Sequence, residues 1–202
     1  MKNTAILAIA LAGAAALSGC DSRSGLAREI QGEWSSVPEL LVNTGAARAS
    51  LTRVMEFTGT PGRLEGDVTL TALITVENTI PASDSIVAPL TITASGTATI
   101  TGVYNVRDDD EVGFNLDATS LSIAVDPDAV RLDYDILDGK GASTVDQLRP
   151  GALRLATQQI SRAAQEVFSR LDGIDDIRID NDLMSCDIGH KDVSFRRVVA
   201  GE

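Results

Sequence analysis

The chain has 202 residues, of which 44% are hydrophobic and 3% aromatic, and its formal net charge is −12. So much apolar sequence excludes a disordered acidic tail, two cysteines exclude a disulfide-rich scaffold, and a single uninterrupted apolar run excludes a multi-pass membrane protein. The negative charge repels phosphate groups, so no nucleic acid partner is expected, and one domain of ordinary size remains.

The first twenty residues have the order of an export signal. Lys2 is followed by an apolar segment, Ala5 to Leu17, which is shorter than the roughly 20 residues of a membrane span but suits a signal-peptide core. The segment ends in Leu17-Ser18-Gly19-Cys20, which is a branched apolar residue, two small residues and a cysteine. This motif resembles the lipobox of bacterial lipoproteins.

The resemblance to bacterial lipoproteins implies cleavage between Gly19 and Cys20, a diacylglyceryl thioether on Cys20, and a fatty acyl group such as palmitate on the new amino terminus. Residues 1–19 are then a signal peptide, and residues 20–29 are a lipidated N-terminus with a short tether. Because two or three acyl chains anchor a protein stably where one chain does not, we expect the lipid to hold the protein on a membrane.

The expected location is the periplasmic face of the bacterial cell envelope. Asp21 resembles the residue that keeps enteric lipoproteins in the inner membrane, which favours that membrane over the outer one. Removal of residues 1–19 takes away a single charge, that of Lys2, and leaves a mature net charge of −13. Anionic headgroups repel such a surface, so lipid rather than a basic patch is expected to make the attachment.

A second resemblance begins at the only tryptophan, in Ile30-Gln31-Gly32-Glu33-Trp34. This segment is similar to the Gly-x-Trp opening of lipocalins and related calycin barrels. In that family an arginine near the final strand packs across the tryptophan, and Arg196 or Arg197 stands in the matching place. The resemblance implies an up-and-down antiparallel barrel around a small apolar ligand, and a curved sheet wrapped around a helix is the alternative.

Alternating apolar and polar residues predict an antiparallel β-meander in a single β-rich domain over residues 30–202. Leu64–Val76 and Ala88–Val106 predict two long strands with one buried and one wet face. A straight strand of the second length would reach about 60 Å, so we predict a kink or bulge near Gly96 or Gly102. Shorter strands are predicted over residues 51–57, 112–116, 121–125, 130–136, 176–181 and 193–199.

One amphipathic helix is predicted over residues 150–172, because Pro150 suits a first helical position and Gly173 suits a stop. We predict that its apolar stripe packs on the sheet, where the small inward row of Ala94, Gly96 and Ala98 allows close approach. An open cavity over that row is the alternative. The stripe consists of Leu153, Ala156, Ile160, Ala163, Val167 and Leu171.

No catalytic residue, cofactor or metal site is predicted. Cys186 and His190 lie four residues apart but lack the further ligands of a zinc site, so we interpret them as a buried cysteine and a turn between two strands. A catalytic or metal role for this pair is the alternative. The acidic clusters at residues 108–111 and 172–182 lack the spacing of a calcium loop and are interpreted as a hairpin tip and a solvated strand edge.

Three residues are candidates for ligand binding. Arg53 and Arg197 fall in phase with apolar faces of their strands, and together with Tyr104 they would orient an acidic head group inside a cavity. The alternative is a bulge or strand end that lets each arginine reach water. The sequence therefore predicts an exported, lipid-anchored, non-enzymatic protein that binds a small apolar or amphiphilic ligand. The competing prediction is an envelope interaction or accessory lipoprotein with a filled core and no ligand.

Overall fold

A computed structural model of the protein describes residues 22–83, 88–134 and 141–199. The predicted signal peptide, the lipid attachment site Cys20 and Asp21 lie outside these residues. Of the helices that the structure describes, none has the length and apolar character needed to cross a membrane.

The described residues form two α-helices, eleven β-strands and two single-turn 3-10 helices at Ala118–Ser120 and Pro127–Ala129. The helices are α1 (Ser22–Glu29) and α2 (Gly141–Ser169). The strands are β1 (Gly32–Ser36), β2 (Glu39–Asn43), β3 (Ala47–Thr58), β4 (Glu65–Ile80), β5 (Leu90–Val106), β6 (Val112–Leu116), β7 (Ser122–Val125), β8 (Arg131–Tyr134), β9 (Gly173–Asp180), β10 (Leu183–Asp187) and β11 (Asp192–Arg197).

All strands pair antiparallel in one sheet of order β1-β11-β10-β9-β6-β5-β4-β3-β2. Because β1 also pairs with β3, the sheet closes on itself into a ring, with β2 beside β1 on the edge of β3. The prediction of a mainly β, antiparallel meander with a helix near the C-terminus is confirmed.

The long hairpin of β4 and β5 is the largest element of the sheet. Its register runs without a shift from Glu65 opposite Asn105 to Ile80 opposite Leu90, so the predicted bulge near Gly96 or Gly102 is wrong for this edge. The other edge of β5 is shared by β6, β7 and β8 in turn. Gly102 permits β6 to approach β5 closely, since a Cβ at this position would lie 2.4 Å from the carbonyl oxygen of Asn115.

Four elements were not predicted from the alternating pattern, namely strands β1, β2 and β10 and helix α1. Strand β2 lies before the first predicted strand, and its mostly exposed side chains give no alternating pattern. The strand β10 lies between two turns and is short, with Met184 and Cys186 buried. The region predicted as a tether contains α1, which buries Leu26 and Ala27.

Helix α2 begins nine residues before the predicted start and ends three residues before the predicted end. Pro150 lies within it at an exposed position, so the helix continues through the missing backbone N–H instead of beginning there. The buried face is a row at four-residue spacing in which small side chains prevail. It consists of Ala152, Ala156, Ile160, Ala164 and Phe168, followed by Leu171 beyond the helix.

The core lies between this helix face and the inner face of the ring. The predicted close approach is confirmed, because a Cβ on Gly96 would lie 3.0 Å from Cγ2 of Ile160. Ala94, Ala98 and Ile160 are all completely buried. Below the helix, the interior is filled by the large buried side chains Trp34, Phe57, Tyr104 and Phe195, and α1 and Ile30 cover that end.

Candidate functional site

Tyr104, one of the three predicted ligand residues, belongs to the core. Its ring is fully buried, and its hydroxyl accepts a hydrogen bond of 2.7 Å from Nε2 of Gln31. Phe57 packs edge-on against it with ring centroids 5.4 Å apart, and Gly66 lies so close that a Cβ would be 2.6 Å from Cε1 of the ring. The structure therefore gives Tyr104 a packing role on β5.

Arg197 packs on Trp34, as the resemblance to lipocalins implied for Arg196 or Arg197. The two residues are cross-strand neighbours on β11 and β1, and the guanidinium carbon lies 4.1 Å from the centroid of the indole. The guanidinium also donates hydrogen bonds to the carbonyl oxygens of Gln31 and Glu29, and Asp182 lies 3.5 Å from its Nε. Its contacts join β11 to the segment between α1 and β1.

Arg53 has the surroundings of a binding residue. It interrupts the buried series of Leu51, Met55 and Phe57 on β3, and only 14% of its side chain is exposed. Nη1 forms an ion pair with Glu39 of β2, whereas the buried Nε has no hydrogen-bond partner. A guanidinium with an unused buried donor favours an additional acceptor at this position.

A cleft of about 270 Å³ opens above Arg53, between β2 and β3, helix α2, and the turn that joins β10 to β11. The pairing of β1 with β11 ends at Ser36 and Val37. Beyond this point β2 pairs with β3 but not with β11, and the cleft lies in the space between β2 and the β10–β11 turn. The walls are largely apolar. They are formed by Leu41, Val42, Ala49, Ala163, Val167 and Ile188.

The cleft carries a small excess of positive charge although the chain as a whole is acidic. Arg53, Arg170 and Lys191 line it, and two of these cations have a carboxylate partner: Glu39 pairs with Arg53, and Glu166 lies 3.5 Å from Arg170. Lys191 is exposed on the turn between β10 and β11. An apolar wall beside several cations suits an anionic head group with an apolar tail.

The three predicted ligand residues do not form one site. Tyr104 and Arg197 both contact Gln31, the first through its side chain and the second through its carbonyl oxygen, whereas Arg53 lies in the cleft. Arg170 and Lys191 were not predicted as binding residues, since α2 and the β10–β11 turn meet β3 only through the closure of the sheet.

Cys186 and His190 also have separate surroundings. Cys186 is 2% exposed, and burial, only partly offset by the nearby Arg53, raises the pKa of its thiol to about 12. His190 is exposed in the turn between β10 and β11 with a positive φ of 67°. The buried cysteine and the turn are as predicted, and a protonated, buried thiol is a poor nucleophile.

The acidic residues lie at turns and on a strand edge. The 108–111 cluster is the hairpin tip between β5 and β6, where Arg107 and Glu111 form an ion pair of 2.9 Å. Partial desolvation and the neighbouring carboxylates, Asp109 first among them, raise the pKa of Asp110. Over the described residues, no three His, Cys, Asp or Glu side chains are placed to share a metal ion. Comparison of the chain with protein-family models, with curated proteins and with solved structures gave no match.

Proposed function

We propose that this chain is an exported, lipid-anchored protein of the bacterial cell envelope that binds a small amphiphilic anion and performs no catalysis. The lipobox motif that ends at Cys20 supports the anchor, and Asp21 supports retention in the inner membrane with the domain in the periplasm. The lipocalin resemblance is supported by the ring-like sheet and by the packing of Arg197 on Trp34.

The cleft above Arg53 is the observation that carries the ligand proposal. A carboxylate head would lie among Arg53, Arg170 and Lys191, and its tail would lie against Val167 and Ile188. The volume of about 270 Å³ is just below the roughly 300 Å³ at which ligand sites usually begin, so the ligand must be small. The ligand we propose is therefore a monocarboxylate with a short or medium alkyl chain.

Titration calorimetry with decanoate tests this proposal. A chain that begins at Asp21, without the signal peptide and the lipidated cysteine, avoids the detergent that a lipidated protein needs, since detergent would compete for the cleft. We expect decanoate to bind, and the double variant Arg170→Gln, Lys191→Gln to raise its Kd about tenfold, because two ion pairs at exposed positions are lost. Decanol, which has no charge, should bind the wild type and this variant equally.

The matched control is the double variant Arg154→Gln, Arg162→Gln. It makes the same change of charge on exposed positions of α2 that do not line the cleft, so its Kd for decanoate should stay within twofold of the wild type. Absence of decanoate binding to the wild-type chain, or equal weakening in both double variants, would contradict the proposed site.

The filled core favours a second candidate function. Because Ile160 packs against Gly96 and the ring interior is occupied by aromatic side chains, a ligand within the ring has no support, and an envelope interaction or accessory protein fits the same fold. The calorimetry separates the two functions, since an interaction protein has no need to bind decanoate. If a protein partner were recovered and competed with decanoate for binding, the cleft would serve both functions.

The anchor has its own test. Expression of the full chain with an alkyne fatty-acid probe should label the wild type and leave Cys20→Ser unlabelled and unprocessed. The matched control is Cys186→Ser, which changes the buried cysteine and should keep the label. Labelling of the Cys20→Ser chain would refute the anchor.

A further inference from the structure

We propose that the end of the sheet covered by α1 rests on the lipid bilayer, so that the domain has a fixed orientation at the membrane. The inference rests on the proposed lipid anchor at Cys20. It goes further, because an anchor alone holds a domain near a membrane without deciding which side of the domain faces the lipid.

The place where the chain enters the described structure supports this orientation. Helix α1 begins at Ser22, two residues after Cys20, and two residues span at most about 7 Å. The helix is held firmly, since Leu26, Ala27 and Ile30 are buried in the core. Lipid on Cys20 would therefore bring the α1 end of the domain within a few ångströms of the headgroups.

Several segments meet at this end. Arg28 of α1 covers the turn between β3 and β4, where its Nε would lie 3.0 Å from a Cβ on Gly62. The end of β11 joins α1 through the hydrogen bond of 2.8 Å from Nη2 of Arg197 to the carbonyl oxygen of Glu29. The backbone N–H of Arg197 donates to Asp182 in the turn between β9 and β10.

Exposed apolar side chains lie at the same end. Val198 and Val199 directly follow β11 and are 44% and 64% exposed, and Leu183, opposite Arg196 in the sheet, is 52% exposed. We call these three residues the apolar edge. Branched apolar side chains with exposure of this size gain free energy by entering the headgroup region of a bilayer.

The charged side chains at this end indicate whether electrostatic attraction or apolar contact holds the domain on the bilayer. Arg28, Arg63 and Arg196 are exposed and would reach lipid phosphates, but the exposed carboxylates of Glu29 and Asp182 lie at the same end. Attraction to anionic lipid is therefore weak here. The apolar edge makes the contact, and zwitterionic lipid is its partner.

The orientation also determines where the proposed ligand site opens. The cleft is lined by Ala49 and Arg53 of β3, whereas the α1 end lies beyond Thr58, nine and five residues further along the same strand. At 3.3 Å per residue this is roughly 17–30 Å of strand. The cleft then faces away from the bilayer and receives its ligand from the aqueous side.

Fluorescence quenching on phosphatidylcholine vesicles tests the orientation. The lipidated chain carries one added cysteine, Val198→Cys or Val42→Cys, labelled with an environment-sensitive dye, while Cys20 is blocked by lipid and Cys186 is buried. The two valines are matched, with 44% and 43% exposure, and Val42 lies beside the cleft. Brominated lipid should quench the dye at residue 198 several-fold more than the dye at residue 42.

Equal quenching at the two positions, or stronger quenching at residue 42, would overturn the orientation. Leu183→Cys provides a second position on the apolar edge and should behave as Val198→Cys does. Mass spectrometry of the same samples separates this inference from the proposed function. A chain without acyl groups on Cys20 overturns both, whereas an acylated chain with the reverse quenching pattern overturns the orientation alone.

Discussion

Arg197 stacks on Trp34 with its guanidinium carbon 4.1 Å from the indole centroid, and the same guanidinium holds the carbonyl oxygens of Gln31 and Glu29. One side chain thus joins the last strand, the first strand and the end of α1. Since Trp34 is completely buried, Arg197 also covers it from solvent. This contact therefore reinforces the pairing of β1 with β11.

The first prediction is that Arg197→Ala lowers the free energy of unfolding by about 2–4 kcal/mol, because a cation–π contact and two hydrogen bonds of a charged group are lost together. Urea unfolding followed by far-UV circular dichroism measures the change. The matched control is Arg196→Ala, an exposed arginine on the same strand, which should cost less than about 0.5 kcal/mol. A similar loss in both variants would contradict the role given to Arg197.

The second prediction concerns the contact between α2 and β5. Gly96→Ala should lower the free energy of unfolding by about 1–3 kcal/mol, since the added Cβ would lie 2.9 Å from the carbonyl oxygen of Ala124 and 3.0 Å from Ile160. Thermal and urea unfolding measure it. Ile160→Val removes the Cδ1 that would lie 3.1 Å from the added Cβ and keeps Cγ2, so the loss caused by Gly96→Ala should be somewhat smaller in that background.

Gly151→Ala is the control for this prediction. Residue 151 lies in α2 with no heavy atom within 4 Å of a Cβ placed there, so alanine should stabilise the helix by about 0.5–1 kcal/mol. If Gly96→Ala were neutral, the helix would not approach β5 as closely as the structure has it.

The strands were predictable wherever one face is buried and the other wet. In β4 the buried residues Val68, Leu70, Ala72, Ile74 and Val76 alternate with polar ones, and the sequence shows this directly. The strand β2 was missed because none of its side chains is fully buried, and its position is fixed mainly by pairing with β3. Such a strand depends on contacts that are distant in sequence.

The sequence predicted that helix α2 exists, but it did not predict its first residue or all the residues of its buried face. Ala156, Ile160 and Leu171 belong to both the predicted stripe and the buried face. The other three buried positions are each one residue away from the predicted one: they are Ala152, Ala164 and Phe168 instead of Leu153, Ala163 and Val167, which are half-buried at the margin of the same face. The periodicity therefore located the face to within one position, and contacts with the sheet decide which of two adjacent apolar residues lies at its centre.

The candidate site was predictable in one residue. Arg53 interrupts an apolar series, and this local pattern is visible in the sequence. Its partners in the cleft come from α2 and from the turn between β10 and β11, more than 100 residues later. No local periodicity connects them, because the closure of a sheet through β1, β3 and β11 brings them together.

The third prediction is that Pro150→Ala raises the free energy of unfolding by about 1–2 kcal/mol. Proline is roughly 3 kcal/mol less favourable than alanine inside a helix, and the greater freedom of the unfolded alanine chain offsets part of this gain. The position is exposed, so no packing is lost. Chemical unfolding measures the change, and Gln158→Ala, an exposed substitution in the same helix, should change it by less than about 0.5 kcal/mol. Destabilisation by Pro150→Ala would mean that the helix needs a bend there.

The fourth prediction is a pH dependence that originates at Cys186. Burial raises the pKa of its thiol to about 12 from the ordinary value of 9.0, so between these values the unfolded chain loses a proton that the folded chain keeps. Stability therefore falls as the pH rises above 9, and below pH 9 the thiol contributes no pH dependence. By pH 10.5 the loss is about 2 kcal/mol, at 1.36 kcal/mol per pH unit.

Cys186→Ala removes the titrating group, so its free energy of unfolding should fall less steeply than that of the wild type between pH 8 and pH 10.5. At pH 8 the difference in free energy of unfolding between the wild type and Cys186→Ala measures the packing lost with the side chain. The decrease of that difference between pH 8 and pH 10.5 measures the effect of thiol ionisation. Ser185→Ala, an exposed neighbour on β10 that does not titrate, should keep the wild-type slope. Parallel curves for the wild type and Cys186→Ala would show that the thiol ionises within the folded protein, and its burial would then not protect it from chemical modification.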